Sequence, residues 1–149
     1  MTLLASFEGE RLLNHIKSSG LLDGFADHNG IAQPAIPSTA NIIDMVELDS
    51  DSRALQVRLL GNDQFASGSI GMSQYPCGIY IFGKAQLSDV NVINSFTSSL
   101  KDWLRINYTN NNECIISIQT LGKGGPFILS DNRPYFEIPL VVRFNEISG

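Results

Sequence analysis

The amino-acid sequence predicts an α+β domain, a mostly antiparallel sheet with two helices packed on one face, in the order α-β-β-β-α-β-β. Three observations point there. Apolar residues recur at helical spacing through residues 88–105. Residues 54–60 alternate, with Leu55, Val57 and Leu59 pointing one way and Gln56 and Arg58 the other. Near the C-terminus, Gly124-Gly125-Pro126 leads into a short apolar run, a polar turn at 130–133 and a strand-like segment, which together read as two extended stretches and a turn at a sheet edge.

Taken in order, residues 2–17 read as a helix capped by Thr2, with Ala5, Leu12, Leu13 and Ile16 along one side and Leu3 and Phe7 flanking. Ser19-Gly20 ends it, because glycine accepts the left-handed conformation that follows a last turn. Residues 21–40 read as an irregular linker, pinned to the core by Leu21, Leu22, Phe25 and Ile31. Residues 41–48, apolar and partly β-branched, are predicted as the first strand, and Asp49-Ser50-Asp51-Ser52 as a polar turn into the second, antiparallel strand at 54–60. Residues 61–74 form a long glycine- and serine-rich loop carrying Phe65, Ile70 and Met72, and loops of that length in small domains are often functional or disordered. Residues 77–82 read as a buried strand closed by Gly83. In the second helix Ser88 is the expected N-cap and Asp89 suits the helix dipole, while Val92, Ile93, Phe96, Leu100, Trp103 and Leu104 form the core stripe. Residues 114–121 and 136–144 are the remaining strands, with 122–125 as a flexible hairpin tip.

The chain has 149 residues, the size of one domain, so residues 1–149 are read as a single unit. Its charged fraction of 17% is low, which suits a surface buried against neighbours; a compositional bias of the source is the other reading. The net charge of −5 and the scatter of the lysines and arginines argue against a sequence-reading nucleic-acid binder. Glu8, Glu10 and Arg11 interrupt what would otherwise resemble a signal peptide, and no stretch approaches a membrane span. Cys77 and Cys114 sit in apolar contexts and are expected as reduced thiols.

Little in the sequence carries chemistry. His15 reads as a packed or surface histidine. Asp27-His28 lies in a turn, has no further histidine at metal-binding spacing, and supports only a minority reading as an acid-base or small-molecule site. Gly68-Ser69-Ile70-Gly71 and Gly122-Lys123-Gly124-Gly125 lack the strand-to-helix setting of a phosphate loop. Asp44, Glu47, Asp49 and Asp51 do not match a calcium loop. No catalytic residue, metal or cofactor is expected.

The helix carrying Trp103, followed by a hairpin with Gly125, Pro126, Ile128, Leu129, Asp131 and Arg133 and then Tyr135 and Phe136, resembles the tail terminator (tail completion, minor tail) proteins of long-tailed bacteriophages. The resemblance covers about residues 42–144. It implies a small α+β virion protein, assembled in the host cytoplasm, that closes into a homohexameric ring. Such a ring caps the tail tube, stops its polymerisation, joins the head connector and lets DNA pass through its centre, without catalysis. On that resemblance Phe127, Arg133, Tyr135 and Phe136 are candidate subunit contacts, with Phe65, Ile70 and Met72 of the long loop as contacts to the tube or a neighbouring subunit. Arg133→Glu is then expected to weaken association without unfolding the domain. Another neck component, such as a head-completion or tail-tube-like protein, is the alternative.

Overall fold

Strand β6, Pro134–Asn145, organises the molecule. The protein is described here by a computed structural model, which covers residues 8–25, 35–36, 49–60 and 72–145. One side of β6 pairs antiparallel with β3, Met72–Phe82, along the whole of β3. Next to β3 lies β2, Ala54–Leu59, antiparallel, and outside it β1, Ala35–Ile36, a two-residue parallel strand. The other side of β6 is shared by β4, Ile115–Thr120, and β5, Gly124–Ile128, both antiparallel to it. The six-stranded sheet therefore runs β1-β2-β3-β6-β4, with β5 placed beside β4 along the same flank of β6.

The two helices, α1 (Glu8–Lys17) and α2 (Val90–Ile106), share one apolar core against one face of this sheet. Alternation decides which residues that face receives. Along β6 it is Phe136, Ile138, Leu140, Val142 and Phe144, and across β3 the partners Ile81, Ile79 and Cys77. From α1 come Leu12 and Ile16, and from α2 Ile93, Thr97, Leu100 and Leu104, all at helical spacing. Each fully buried Leu or Ile in such a core is worth about 1.5–3 kcal/mol. Thr97 is tolerated because its Oγ1 donates to the Ile93 carbonyl at 2.6 Å. Gly20, at φ 77°, ends α1 and starts a 3-10 turn, Leu21–Gly24, after which Phe25 stacks on Phe96 of α2.

The expected α+β architecture is therefore observed, with differences in detail. The C-terminal half contains one more strand than the expected order, because Gly124 and Gly125 belong to β5 rather than to a loose tip. β3 begins five residues before the predicted strand, taking Met72 out of the loop. β1 falls inside the stretch read as an irregular linker, and the strand predicted at 41–48 lies outside the described residues, as do residues 2–7 of the first helix. Val92 is exposed; one position before Ile93, it is rotated a quarter turn away from the sheet. Ser88 does not cap α2. Residues Leu87–Asp89 form a 3-10 turn, and the Asp89 carboxylate is turned inward to Arg53 (2.7 and 2.9 Å) and the Lys84 N–H (2.8 Å). A two-pronged bond to guanidinium outcompetes a single cap bond. Burial works to raise the Asp89 pKa, but the Arg53 and Lys84 bonds and their positive charges outweigh it and hold the carboxyl below its ordinary value.

The turn between β5 and β6 is closed by Leu129 N–H to the Arg133 carbonyl (2.9 Å) and Asn132 N–H to the Leu129 carbonyl (3.0 Å), with Asn132 left-handed at φ 67°. Arg133 anchors this turn from within. Its side chain is 0% exposed. Nη1 donates to the carbonyls of Ser52 (2.7 Å) and Gly83 (2.6 Å), Nη2 to that of Asp49 (3.1 Å), and Nε to Asp131 Oδ2 (3.3 Å). One guanidinium thus joins the turn to the approach to β2 and the end of β3. This overturns the expectation that Arg133→Glu leaves the fold intact. Arg133→Ala leaves the buried carbonyls of Ser52 and Gly83, the partly buried carbonyl of Asp49 and the Asp131 carboxylate without this partner, so it is expected to cost about 3–5 kcal/mol in a urea titration. Arg133→Glu, which sets a carboxylate against those carbonyls, is expected to abolish the cooperative transition altogether.

Candidate functional site

Because β4 and β5 follow one another along one flank of β6, residues 115–128 behave as a single edge strand broken in the middle. The break falls at Leu121-Gly122-Lys123. Leu121 N–H still reaches the Pro139 carbonyl (2.8 Å), and Gly122 then takes φ 141°. Lys123 leaves the edge and crosses to α2, where its Nζ donates to Asn94 Oδ1 (2.7 Å) and Ser98 Oγ (3.0 Å), one helical turn apart. Its ammonium also lies 5.6 Å from the centre of the Phe136 ring. Between α2 and β5 a groove of about 350 Å³ remains, lined by Val90, Asn91, Asn94, Lys123, Pro126 and Phe136.

Among the described residues no strand pairs with the outer side of this edge. Its exposed side chains include the apolar Ile116, Leu121, Phe127 at 43% and Ile128 at 51% exposure, beside the polar Gln119 and Lys123. Phe127 belongs to an aromatic row on the sheet face away from the helices. It meets Tyr135 at 5.2 Å between ring centres, Tyr135 meets Phe82 at 5.2 Å, and Tyr80 completes the group. The row is buried at Phe82 and opens toward solvent at Phe127. Burial, reinforced by the Glu137 charge, pushes the Tyr80 hydroxyl up to about 12, so the phenol keeps its proton and donates to Glu137.

The residues singled out from sequence divide clearly. Phe127 is exposed on the edge and Tyr135 half-buried behind it. Arg133 and Phe136 are buried inside the chain, Arg133 as the anchor of the turn and Phe136, 3% exposed, as part of the helix-side core. Neither offers a surface to a second subunit, because alternation along β6 sends Phe136 to the opposite face from Tyr135. Met72 begins β3, half-buried and paired with Asn145, far along the sheet from Phe127. Phe65, Ile70, Asp27 and His28 lie outside the described residues. Sequence reading missed Ile128 and Lys123 as surface determinants of this edge. Ile128 carries a signal, an apolar residue beside an aromatic before a polar turn, whereas the turning-in of Lys123 depends on α2 being near.

Cys77 is a buried free thiol whose pKa burial, with the charge of Glu8, pushes up to about 12; Cys114 is also free. Among the described residues no three His, Cys, Asp or Glu side chains gather as a metal ion requires, and no helix is long and apolar enough to cross a membrane. No protein-family model and no curated protein matches the chain.

Gly125 is the residue that lets β5 lie against β6. It has φ 121°, and an added Cβ would come within 2.9 Å of both the Tyr135 carbonyl oxygen and Phe136 Cδ1. Gly125→Ala is therefore expected to destabilise the chain by about 1–3 kcal/mol and to increase hydrogen exchange along residues 124–128 more than along β3. Equal protection of both strands would show that β5 is not the element affected.

Proposed function

We propose that this chain is a structural virion protein of a long-tailed bacteriophage. In this reading copies of it close into a ring, six in number by the family resemblance, that caps the tail tube. The ring ends tube polymerisation and offers the surface on which the head connector joins. DNA passes through the centre without sequence-specific contact, and the chain carries no catalytic role. It is assembled in the host cytoplasm and resides in the tail or neck of the particle.

The observation that carries this reading is the open β4–β5 edge with Phe127 and Ile128 exposed on it. A sheet edge presents unpaired N–H and C=O groups, and chains that stay single blunt such edges with charge. Here the lysine of the edge, Lys123, is held against α2 by Asn94 and Ser98, and Ile116, Leu121, Phe127 and Ile128 are exposed along the edge beside Gln119. Such an edge is suited to being covered by another chain. An identical subunit rotated about an axis covers it repeatedly and leaves no end, which is the geometry of a ring. The low charged fraction of the chain fits the same use.

Phe127→Glu combined with Ile128→Lys changes two exposed side chains and is expected to leave the thermal midpoint near that of the parent. In sedimentation or native mass measurements the association constant is expected to fall by roughly 30-fold or more, the loss typical of a central interface residue. Association at the parent's strength would remove the β5 edge from the interface. Particles made without the protein are expected to carry overlong tails, and tails of normal length would exclude the terminator role.

A further inference from the structure

His15 sits buried on α1 between the Trp103 ring of α2, 4.7 Å away, and the chain that leaves α2 toward β4. Its Nε2 lies 2.7 Å from the Asn107 carbonyl oxygen, which can only accept, so Nε2 carries a proton and donates it. Its Nδ1 lies 2.9 Å from Asn110 Nδ2. The Asn110 amide is oriented independently, because its Oδ1 accepts from the N–H groups of Asn112 (3.0 Å) and Glu113 (3.3 Å). Its NH2 end therefore faces the ring and donates to Nδ1. The whole network is satisfied by one form of the imidazole, the neutral ring with its proton on Nε2. A second proton on Nδ1 sets donor against donor.

We propose that His15 is a pH-sensitive latch that ties α1 to the start of edge strand β4 and opens when Nδ1 is protonated. To accept from Nδ1–H, Asn110 must turn its oxygen toward the ring. That same oxygen caps the 3-10 turn Asn111–Glu113, which then loses both bonds. Asn110 also holds the first residue of β4 through its backbone, exchanging bonds with Ile115 at 3.0 and 2.9 Å. Movement at Asn110 thus reaches the edge strand directly.

The charges around the ring set the direction. Glu113, on the 3-10 turn, favours the protonated form, and its carboxylate accepts from Asn14 Nδ2 at 3.4 Å. Arg11 lies one turn earlier on the same helix. On α2, Asp102 and Arg105 flank Trp103 but are exposed and face each other at 3.9 Å. Burial is the largest influence and lowers the ring below its ordinary 6.5, against the Asn107 bond and the Glu113 charge. The folded form therefore binds the proton more weakly than the open form. The latch's contribution is intact above the ordinary pKa and is lost as pH falls from there toward the folded value. The device is internal to one chain and holds whether or not the ring reading is right.

Heteronuclear NMR of the full chain from about pH 8 to about pH 5 tests it. The His15 ring is expected to titrate below 6.5, and the Asn112 and Glu113 amide signals to move with the same midpoint. The protection factor of the Ile115 amide is expected to fall by about tenfold per pH unit between the open and folded pKa values. Asn110→Asp supplies an acceptor for Nδ1–H while its other oxygen still caps the turn, so the midpoint is expected to rise above 6.5 and the amides to stay in place. His15→Gln keeps a donor and an acceptor and is expected to remove the response. A ring titrating at or above 6.5 in the unaltered chain, amides that ignore the ring's midpoint, or an unmoved midpoint in Asn110→Asp would each overturn the latch.

Discussion

A guanidinium sealed inside the corner of the sheet holds the C-terminal hairpin where it is. Burying a cation costs several kcal/mol unless every direction of its charge is met. Arg133 meets that demand with three main-chain carbonyls and the carboxylate of Asp131. The carbonyls belong to segments far away in sequence, so satisfying the cation and assembling the corner are one event. Beside it, Arg53 and Asp89 form a second buried pair that brings the start of α2 against the entry to β2. Gly83 lies between the two, with its carbonyl on Arg133 and no room for a side chain against the Asp89 carboxylate. The polar corner therefore fixes the positions of β2, β3, α2 and the final turn together.

With the corner in place, β6 is left with two unequal flanks. One is filled by β3 along its whole length, and the other by two short strands in succession. Short strands joined by a break cannot present a straight, regular edge, yet they leave apolar side chains at the outside. The helices cover one face of the sheet, and the aromatic row lies on the other face and opens toward solvent at Phe127 on the edge. At the far end of the same edge, β4 begins at a residue held by Asn110, whose amide is oriented by the 3-10 turn it caps and presents its NH2 to a helix-borne histidine.

Much of the architecture was legible because it rests on periodicity. The alternation of Leu55, Val57 and Leu59 and the spacing of Ile93, Leu100 and Leu104 are direct consequences of strand and helix geometry, and the structure places five of them in the buried core with Leu59 packed against it. The edge character of the final hairpin was legible only for its first strand, β5; the second, β6, reads from sequence as an edge too but is the central strand, paired on both flanks. The site was legible only in part. Tyr135 and Phe136 are neighbours with the same chemistry, and they face opposite sides of the sheet. Arg133 looked like a surface anchor, since an arginine in a polar turn normally points to water.

The sequence by itself determined the apolar stripe of α2 and strands β2, β4 and β6 to within a few residues, but not β1, β5 or the start of β3, because a strand or helix is legible only where its backbone repeat is carried by several residues in a row. It also determined that the chain carries few charges and an apolar run beside a turn near its end. Only the tertiary structure decided that β4 and β5 share a flank of β6, that Arg133 points inward, that Asp89 abandons a helix cap for Arg53, and that His15 reads the orientation of Asn110. Each of these depends on partners 36 to 95 residues apart or on a strand's choice of neighbour. A hydrogen bond or ion pair between distant residues is set by where the folded backbone brings them, and no local pattern encodes that position.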